Sequence, residues 1–474
     1  MADDTPQNPE DEFRDMLREF LSGSSGFDPE KLAGAAGLPN DPAVLRQLMA
    51  QLQSALQSSG EGINWTVATD QATTLARQSA IPTGDVQRRE LEQALTVAAL
   101  WLDEVTYVSD LPLPPKLLSR AEWVRATMPV WTQLAEPVAT SISDALTGVL
   151  TEQAPEEMAG MVQGASQLLR NVGGTLFAMQ LGQAVAQLST EVVSGGDIGI
   201  PLLDEQRAAL LPQNIAGFGE GLDIAATEVQ IYLAVRELAH ARLFRHAKWL
   251  RLQLITSITE YARGISIDTS RLQELAETLD PSNVEELREA MVSGSLIPPK
   301  TEQQTAALGR LETMLALIEG WVDVTTLAAT HRLPRADAIA ETVRRRRATG
   351  GPAESAFSAL VGLELRPRRL REAAAMWQAV SDGVGAEQRD ALWSHPDVLP
   401  TSADIDDPAA LVARLQAGEP EPDEMDQAIE DLLRGDDPGP APAGGESGGP
   451  DAAGPDGAGP EASGPDAGDD PRPV

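Results

Sequence analysis

The sequence has no cysteine in 474 residues, so a disulfide framework and a thiolate metal site are both excluded, and any zinc must be held by His, Glu or Asp. With only four histidines the choice of ligands is narrow. Aromatic residues are also scarce, at 4%, whereas Ala, Leu, Glu, Gln and Arg are abundant. Those residues lose little on entering a helix, so helix should dominate. A long apolar run free of polar side chains is missing too. The longest uncharged stretch, residues 171–190, could reach across a bilayer but contains Gln180, Gln183 and Gln187. It reads as a buried helix, and Gly173, Gly174 and Gly182 within it imply close approach by another helix. The first residues lack the basic start and apolar stretch of a secretory signal, which makes a cytoplasmic protein the simplest reading. Basic residues are outnumbered 36 to 72, and the net charge of −36 argues against general nucleic-acid binding, because phosphate contacts need clustered Lys and Arg.

The 42% of apolar residues suffice for a large core. Residues 1–60 hold two short helical patterns, around 13–21 and 42–56, separated by Gly/Ser/Asp segments, and read as a mobile N-terminal arm. Residues 61–405 read as one large, mainly α domain. Its apolar spacing is helical, as in Leu91, Ala94, Leu95, Ala98, Leu100, Trp101 and Val105. Further helices are expected at 120–134, 136–152, 155–169, 173–193, 223–246, 249–263, 269–278, 284–292, 301–329, 334–346, 353–362, 366–381 and 386–393. At most a small β element is expected, at 197–201, where Ile198 and Ile200 alternate with turn formers. Residues 406–434 read as an acidic helical segment. Residues 435–474, a Gly/Pro/Ala/Asp tail with repeated Gly-Pro-Asp units, have too little apolar bulk to offset the entropy of ordering. From Asp404 onward there are 19 acidic and 3 basic residues, which places about −16 of the −36 there.

One segment carries a chemical signal. In Tyr232-Leu-Ala-Val-Arg236-Glu237-Leu-Ala-His240, with Asp223 as the expected N-cap of its helix, positions 236, 237 and 240 have the spacing of His-Glu-x-x-His. In that motif two histidines on one helix face grip zinc and the glutamate polarises the attacking water. Arg-Glu-x-x-His by itself is an ordinary solvated i, i+4 pair in an Ala-rich helix. A second motif, Ile318-Glu319-Gly320-Trp321-Val322-Asp323, raises its interest. A glutamate on a later helix is the third ligand in thermolysin-like sites, with an aspartate four residues on supporting the first histidine. His246 is the alternative third ligand, at the spacing of the last histidine in the extended motif. That motif needs a glycine where this chain has Leu243, and a continuing helix would carry His246 about 240° around from His240.

Together with these motifs, the stretches Gly62-Ile-Asn-Trp65, Arg120-Ala-Glu-Trp123, Gly173-Gly-Thr-Leu-Phe177, Ser194-Gly-Gly-Asp-Ile-Gly-Ile-Pro201, Leu211-Pro-Gln-Asn214, Ala247-Lys-Trp-Leu250, Leu363-Glu-Leu-Arg-Pro-Arg-Arg-Leu370 and Trp393-Ser-His-Pro396 make the chain resemble the zincin-like metallopeptidase type 2 family. This is a mainly helical bacterial family, and the resemblance runs over roughly residues 60–405. It implies a zinc-dependent hydrolase or metalloprotease with Glu237 as general base, His240 and Glu319 as zinc ligands and Asp323 behind them. The chain is similar to the branch in which arginine takes the first ligand position.

Arg236 cannot serve as that ligand, since a guanidinium has no lone pair and stays protonated. Held about 5 Å from a divalent ion it would oppose binding by roughly 6 kcal/mol at an effective dielectric near 20, some four orders of magnitude. The resemblance with this departure implies an impaired enzyme. The alternative is a metal-free pseudo-enzyme scaffold that binds a peptide or protein partner in the inherited cleft, with Arg236 paired to Glu319 or Asp323. On that alternative, Arg236→Ala loses stability and Glu237→Ala changes little. The run Arg344 to Arg347 and Arg366, Arg368, Arg369 and Arg371 form a dense basic region, expected to be solvated faces and a helix C-terminus, or else a dock for the acidic tail.

Overall fold

The computed structural model describes residues 62–152, 159–203, 207–264, 300–350, 358, 362 and 366–418, with backbone alone at 142, 145–152 and 159–172. The helices expected at 269–278 and 284–292, most of that at 353–362, the N-terminal arm and the acidic tail lie outside the described residues. Among the described residues the protein is mainly α. In chain order the elements are α1 (Thr66–Gln78), α2 (Asp85–Asp103), β1 (Lys116–Leu117), α3 (Arg120–Glu152), α4 (Ala159–Glu191), β2 (Ala209–Leu210), α5 (Pro212–Gly219), α6 (Ala226–His246), α7 (Trp249–Arg263), α8 (Glu302–Ala329), α9 (Ala336–Thr349), α10 (Leu370–Ala391), α11 (Ser402–Asp406) and α12 (Pro408–Ala417). The described residues up to Ala417 belong to one compact unit.

Two helices carry the centre of this unit. α6 is buried at almost every position from Val229 to Phe244, and α8 at all positions from Met314 to Thr326. Burial on all faces explains why neither helix shows a clean apolar stripe. α6 packs against α2 and α8, while α8 also packs against α7 and α10. α8 starts at a capping box in which the Thr301 hydroxyl accepts the Gln304 N–H and the Gln304 side chain accepts the Thr301 N–H. Gly320 lets α10 approach, since a Cβ there would stand 2.8 Å from the backbone of Ala373 and Ala374. Around that crossing Trp377 stacks on Trp393, and Trp321 meets Trp393 edge-on and donates Nε1–H to Asp390. Trp101 and Trp249 are only half-buried, the first under the guanidinium of Arg332.

Of the three glycines of α4 expected to meet another helix, Gly182 alone does so. Gly182 touches the backbone of Ala68 on α1 and Gly174 touches Ile63, whereas Gly173 faces open space. Four local expectations are corrected. α3 is continuous through Pro129 and Pro137, where two helices were expected; its packing against α1, α4 and α7 outweighs the missing N–H groups. α4 likewise runs unbroken from Ala159. Asp223 does not cap α6; it has φ 52° and lies outside the helix, whose N-cap is Ala225. Residues 197–201 form no strand. The β element is a parallel pairing of Lys116–Leu117 with Ala209–Leu210, and Ser194 adds a single antiparallel bridge to Leu210. No helix among the described residues is long and apolar enough to cross a membrane.

Candidate functional site

The i, i+4 spacing on α6 and on α8 sets the site. Arg236 and His240 project one turn apart toward α8, where Glu319 meets both. Arg236 donates Nη2–H to Glu319 Oε2 at 2.5 Å, and His240 Nε2 lies 3.3 Å from Glu319 Oε1. All three are cut off from solvent, His240 and Glu319 fully and Arg236 to within 3%. Burial by itself would push the Glu319 carboxyl up, but the guanidinium groups of Arg236 and Arg347, with His240, hold it well below the usual carboxylate range. Burial works against the charge on Arg236 as well, and Glu319 and Asp197 outweigh it. His240 is shifted the other way: burial keeps its imidazole neutral against the pull of Glu319.

Of the two carboxylates open to Arg236, Glu319 therefore takes it. Asp323, one turn on, instead accepts two hydrogen bonds from Nε and one from Nη2 of Arg344 on α9. Burial raises the Asp323 carboxyl even so. His246 does not join the site. With Leu243 in place of a glycine, α6 continues to its end, and His246 is exposed in the last turn.

Glu237 points away from this cluster. Its Oε2 accepts the Gly196 N–H at 2.7 Å, its Oε1 accepts the Ala209 N–H at 2.8 Å, and the Ser194 side chain adds a third hydrogen bond. It thus ties together the two ends of the segment that leads from Ser194 to β2. Desolvation by burial dominates and pushes its carboxyl up to about 7 in spite of those donors. A carboxylate whose oxygens are both occupied by backbone amides is a clamp, not a base held free for a water.

The segment clamped by Glu237 covers the site. Residues 192–202 are all buried. Gly196 sits against His240, where a Cβ would come within 2.6 Å of its Cβ, and Gly199, with φ 82°, leaves the space that Glu319 Oε1 fills, 2.5 Å from a would-be Cβ. Asp197 accepts from the Val193 N–H and from Arg346, while Arg347 donates to the Ile198 carbonyl at 2.6 Å and approaches Glu319 to 3.7 Å. This Gly-rich segment, expected to hold a small β element, has the glycines of a phosphate loop without its spacing. Its glycines mark a close approach to His240 and Glu319, which no spacing rule on either motif reports.

The dense basic region also has internal work. Arg344, Arg346 and Arg347 reach Asp323, Asp197 and Glu319, and farther out Arg371 pairs with Glu341, Arg368 with Glu312 and Arg369 with Asp406. Only the first group bears on the site, and it encloses it from α9.

Zinc can be tested against these residues. A site needs at least three protein donors around a common point. Among the described residues no group of three or more His, Cys, Asp or Glu is placed to hold a metal. Here two donors, His240 Nε2 and Glu319 Oε1, converge, and the place of the third is held by a guanidinium bonded to Glu319 itself. The residues do not fit the ion.

A sequence model for a family described as zincin-like metallopeptidase matches residues 63–412. No curated protein matches the chain. Among solved structures, a crystal structure described as that of a putative hydrolase with a novel fold from Chloroflexus aurantiacus is similar at 20% identity and a TM-score of 0.49, over 75% of this chain and 100% of that one.

Proposed function

Since the chain belongs to the zincin-like metallopeptidase family, we propose that it is a metal-free member in which the inherited catalytic constellation has become a buried brace. The observation that carries this reading is the 2.5 Å bond from Arg236 to Glu319, a ligand carboxylate neutralised by an arginine standing at the first ligand position. Glu237 supports it, because its oxygens close a loop over the site and are not turned to a substrate. Peptide hydrolysis is lost on this reading. The role left to the protein is recognition of a peptide or protein partner on a surface outside the buried cleft, which its own residues 192–202 fill.

Ligand linkage supplies the test. A site that binds zinc stabilises the folded chain by RT ln(1 + [L]/Kd), about 4 kcal/mol at a thousandfold excess over Kd. Thermal unfolding of the full chain in EDTA and in micromolar zinc should give the same midpoint within about 1 °C. A midpoint several degrees higher with zinc, reversed by EDTA and absent in His240→Ala, would overturn the reading.

A further inference from the structure

One flank of α7 carries a groove away from the buried constellation. Lys248, the N-cap in helical conformation, and Arg251, Leu252 and Ile255 follow the i, i+3, i+4, i+7 spacing that puts side chains on one helix face. They run beside the buried stripe of Leu250, Leu254, Ile258 and Tyr261. Leu252 is 69% exposed and Lys248 is exposed as well, while Arg251 and Ile255 are half-buried. Arg251 and Ile255 border a shallow groove, which Val130 and Leu134 of α3 and Ile200 and Pro201 also line. Those last four are buried and form its floor, and Ile200 and Pro201 belong to the segment that closes over Glu319. Apart from the Arg251 guanidinium the groove is apolar.

The charges on this flank are unanswered. Among the described residues the side chains of Lys248 and Arg251 have neither a hydrogen bond nor an ion pair, and the Arg251 Nε is buried as well as unpaired. A buried donor without an acceptor is unfavourable until something supplies one. Arginines around it are treated differently: Arg242 on α6 pairs with Asp103 and Asp110, and Arg310 on α8 pairs with Glu260 of α7 itself. In a chain of net charge −36 carboxylates are not scarce, yet these two cations have none. An apolar groove, a guanidinium at its edge and an ammonium one turn back are complementary to an aliphatic side chain with a carboxylate beside it.

We propose that this flank of α7 and its groove bind a segment of a partner protein in which an aliphatic side chain is flanked by aspartate or glutamate. The inference rests on the reading of the chain as a protein that recognises a partner, and gives that partner a place and a chemistry. The aliphatic side chain lies against Leu252 and Ile255 and enters the groove. A carboxylate accepts from the free N–H groups of Arg251, and Lys248 adds a charge that attracts without fixing geometry. An anionic membrane fits less well, because the net charge of −36 repels the chain from it and a groove with one directed donor suits a single side chain. Through Ile200 and Pro201 the partner also rests on the segment that Glu237 ties down at Gly196.

The experiment selects short random displayed peptides on the immobilised full chain and measures the enriched ones by fluorescence polarisation. The expected result is peptides with an aliphatic residue next to Asp or Glu, binding with Kd on the order of 1–100 μM. They should bind at least about tenfold more weakly to Arg251→Glu and to Leu252→Asp, and more weakly as salt is raised. Bound peptide should slow amide exchange around Ile200 and along the first turns of α7. Leu252 and Lys248 are exposed, so Leu252→Asp and Lys248→Glu carry the test if Arg251→Glu fails to fold. Acidic peptides that bind the variants as tightly as the natural chain overturn this site and leave recognition elsewhere on the chain standing. Failure to enrich any acidic, aliphatic peptide overturns it too. Sedimentation with phosphatidylserine vesicles that is lost in Leu252→Asp would assign the face to a membrane, and a dimer that Leu252→Asp splits would assign it to a second copy; either result overturns the proposal. Stoichiometric zinc in the natural chain would instead sink the metal-free reading, and the peptides alone would then decide this site.

Discussion

Replacing Arg236 by methionine should lower the unfolding free energy by about 3–5 kcal/mol, measured by chemical denaturation at neutral pH. Removing one partner of a buried ion pair leaves the other charge unpaired in a medium that solvates it poorly, and losses of that size follow. Glu319 is fully buried, and Arg236 is the nearest of the charges holding it ionised. Arg347 stands farther away and donates to the Ile198 carbonyl as well, so it compensates only in part. Adding Glu319→Gln to Arg236→Met removes the stranded charge and should recover part of the loss. A zinc enzyme predicts otherwise. If Arg236 were turned aside in the working state, Arg236→Met would cost less than about 1 kcal/mol, as for an ordinary surface position.

The second large effect concerns Glu237. In an enzyme of this family type it is the residue whose removal abolishes activity while leaving the fold intact, and the sequence alone suggested that a pseudo-enzyme would tolerate Glu237→Ala. The structure reverses that expectation. Alanine would strand the buried N–H groups of Gly196 and Ala209, and each orphaned donor costs roughly 1–3 kcal/mol. A loss of about 2–4 kcal/mol in denaturation is expected, with residues near Gly196 exchanging their amide hydrogens faster.

The acidity of Glu237 adds a sign. Its folded value, about 7, lies above the ordinary 4.5, so the folded chain holds this proton more tightly than the unfolded chain. Its contribution is full below pH about 4.5 and is lost as pH rises toward 7. Glu319 runs the opposite way: its carboxyl is depressed, so its contribution is present above pH about 4.5 and is lost on acidification below that. Between pH 4.5 and 7, the natural chain should therefore lose stability relative to Glu237→Gln as pH rises.

Much of this architecture could be read from residues alone, and the exceptions share a cause. The helices with caps or strong periodicity stand close to where they were expected; α8, with Thr301 and Gln304 at its start, begins within a residue of the expected position. The break between 381 and 386 corresponds to the kink at Gly385. A break was expected at residue 135, between two helices, and packing against three other helices carries α3 through it and through Pro129 and Pro137. The pairing of α6 with α8 was legible because each motif keeps a fixed i, i+4 spacing. What lay hidden was the third layer. Asp197, Gly196 and Gly199 come to the site from a segment about forty residues before His240, and Arg344, Arg346 and Arg347 come from a helix whose charges looked solvated. Neither contribution has a spacing relative to the motifs, since both depend on how α9 and the 192–202 segment fold back over α6 and α8.

The central claim is that an arginine does here what a metal would do elsewhere in the family. The most direct test is the zinc content of the natural full chain, isolated without chelator and counted by elemental mass spectrometry. The account predicts less than about a tenth of a zinc per chain, unchanged by His240→Ala or Glu319→Ala. About one zinc per chain, lost in both variants, would contradict it and would mean that Arg236 swings away from Glu319 to admit the ion.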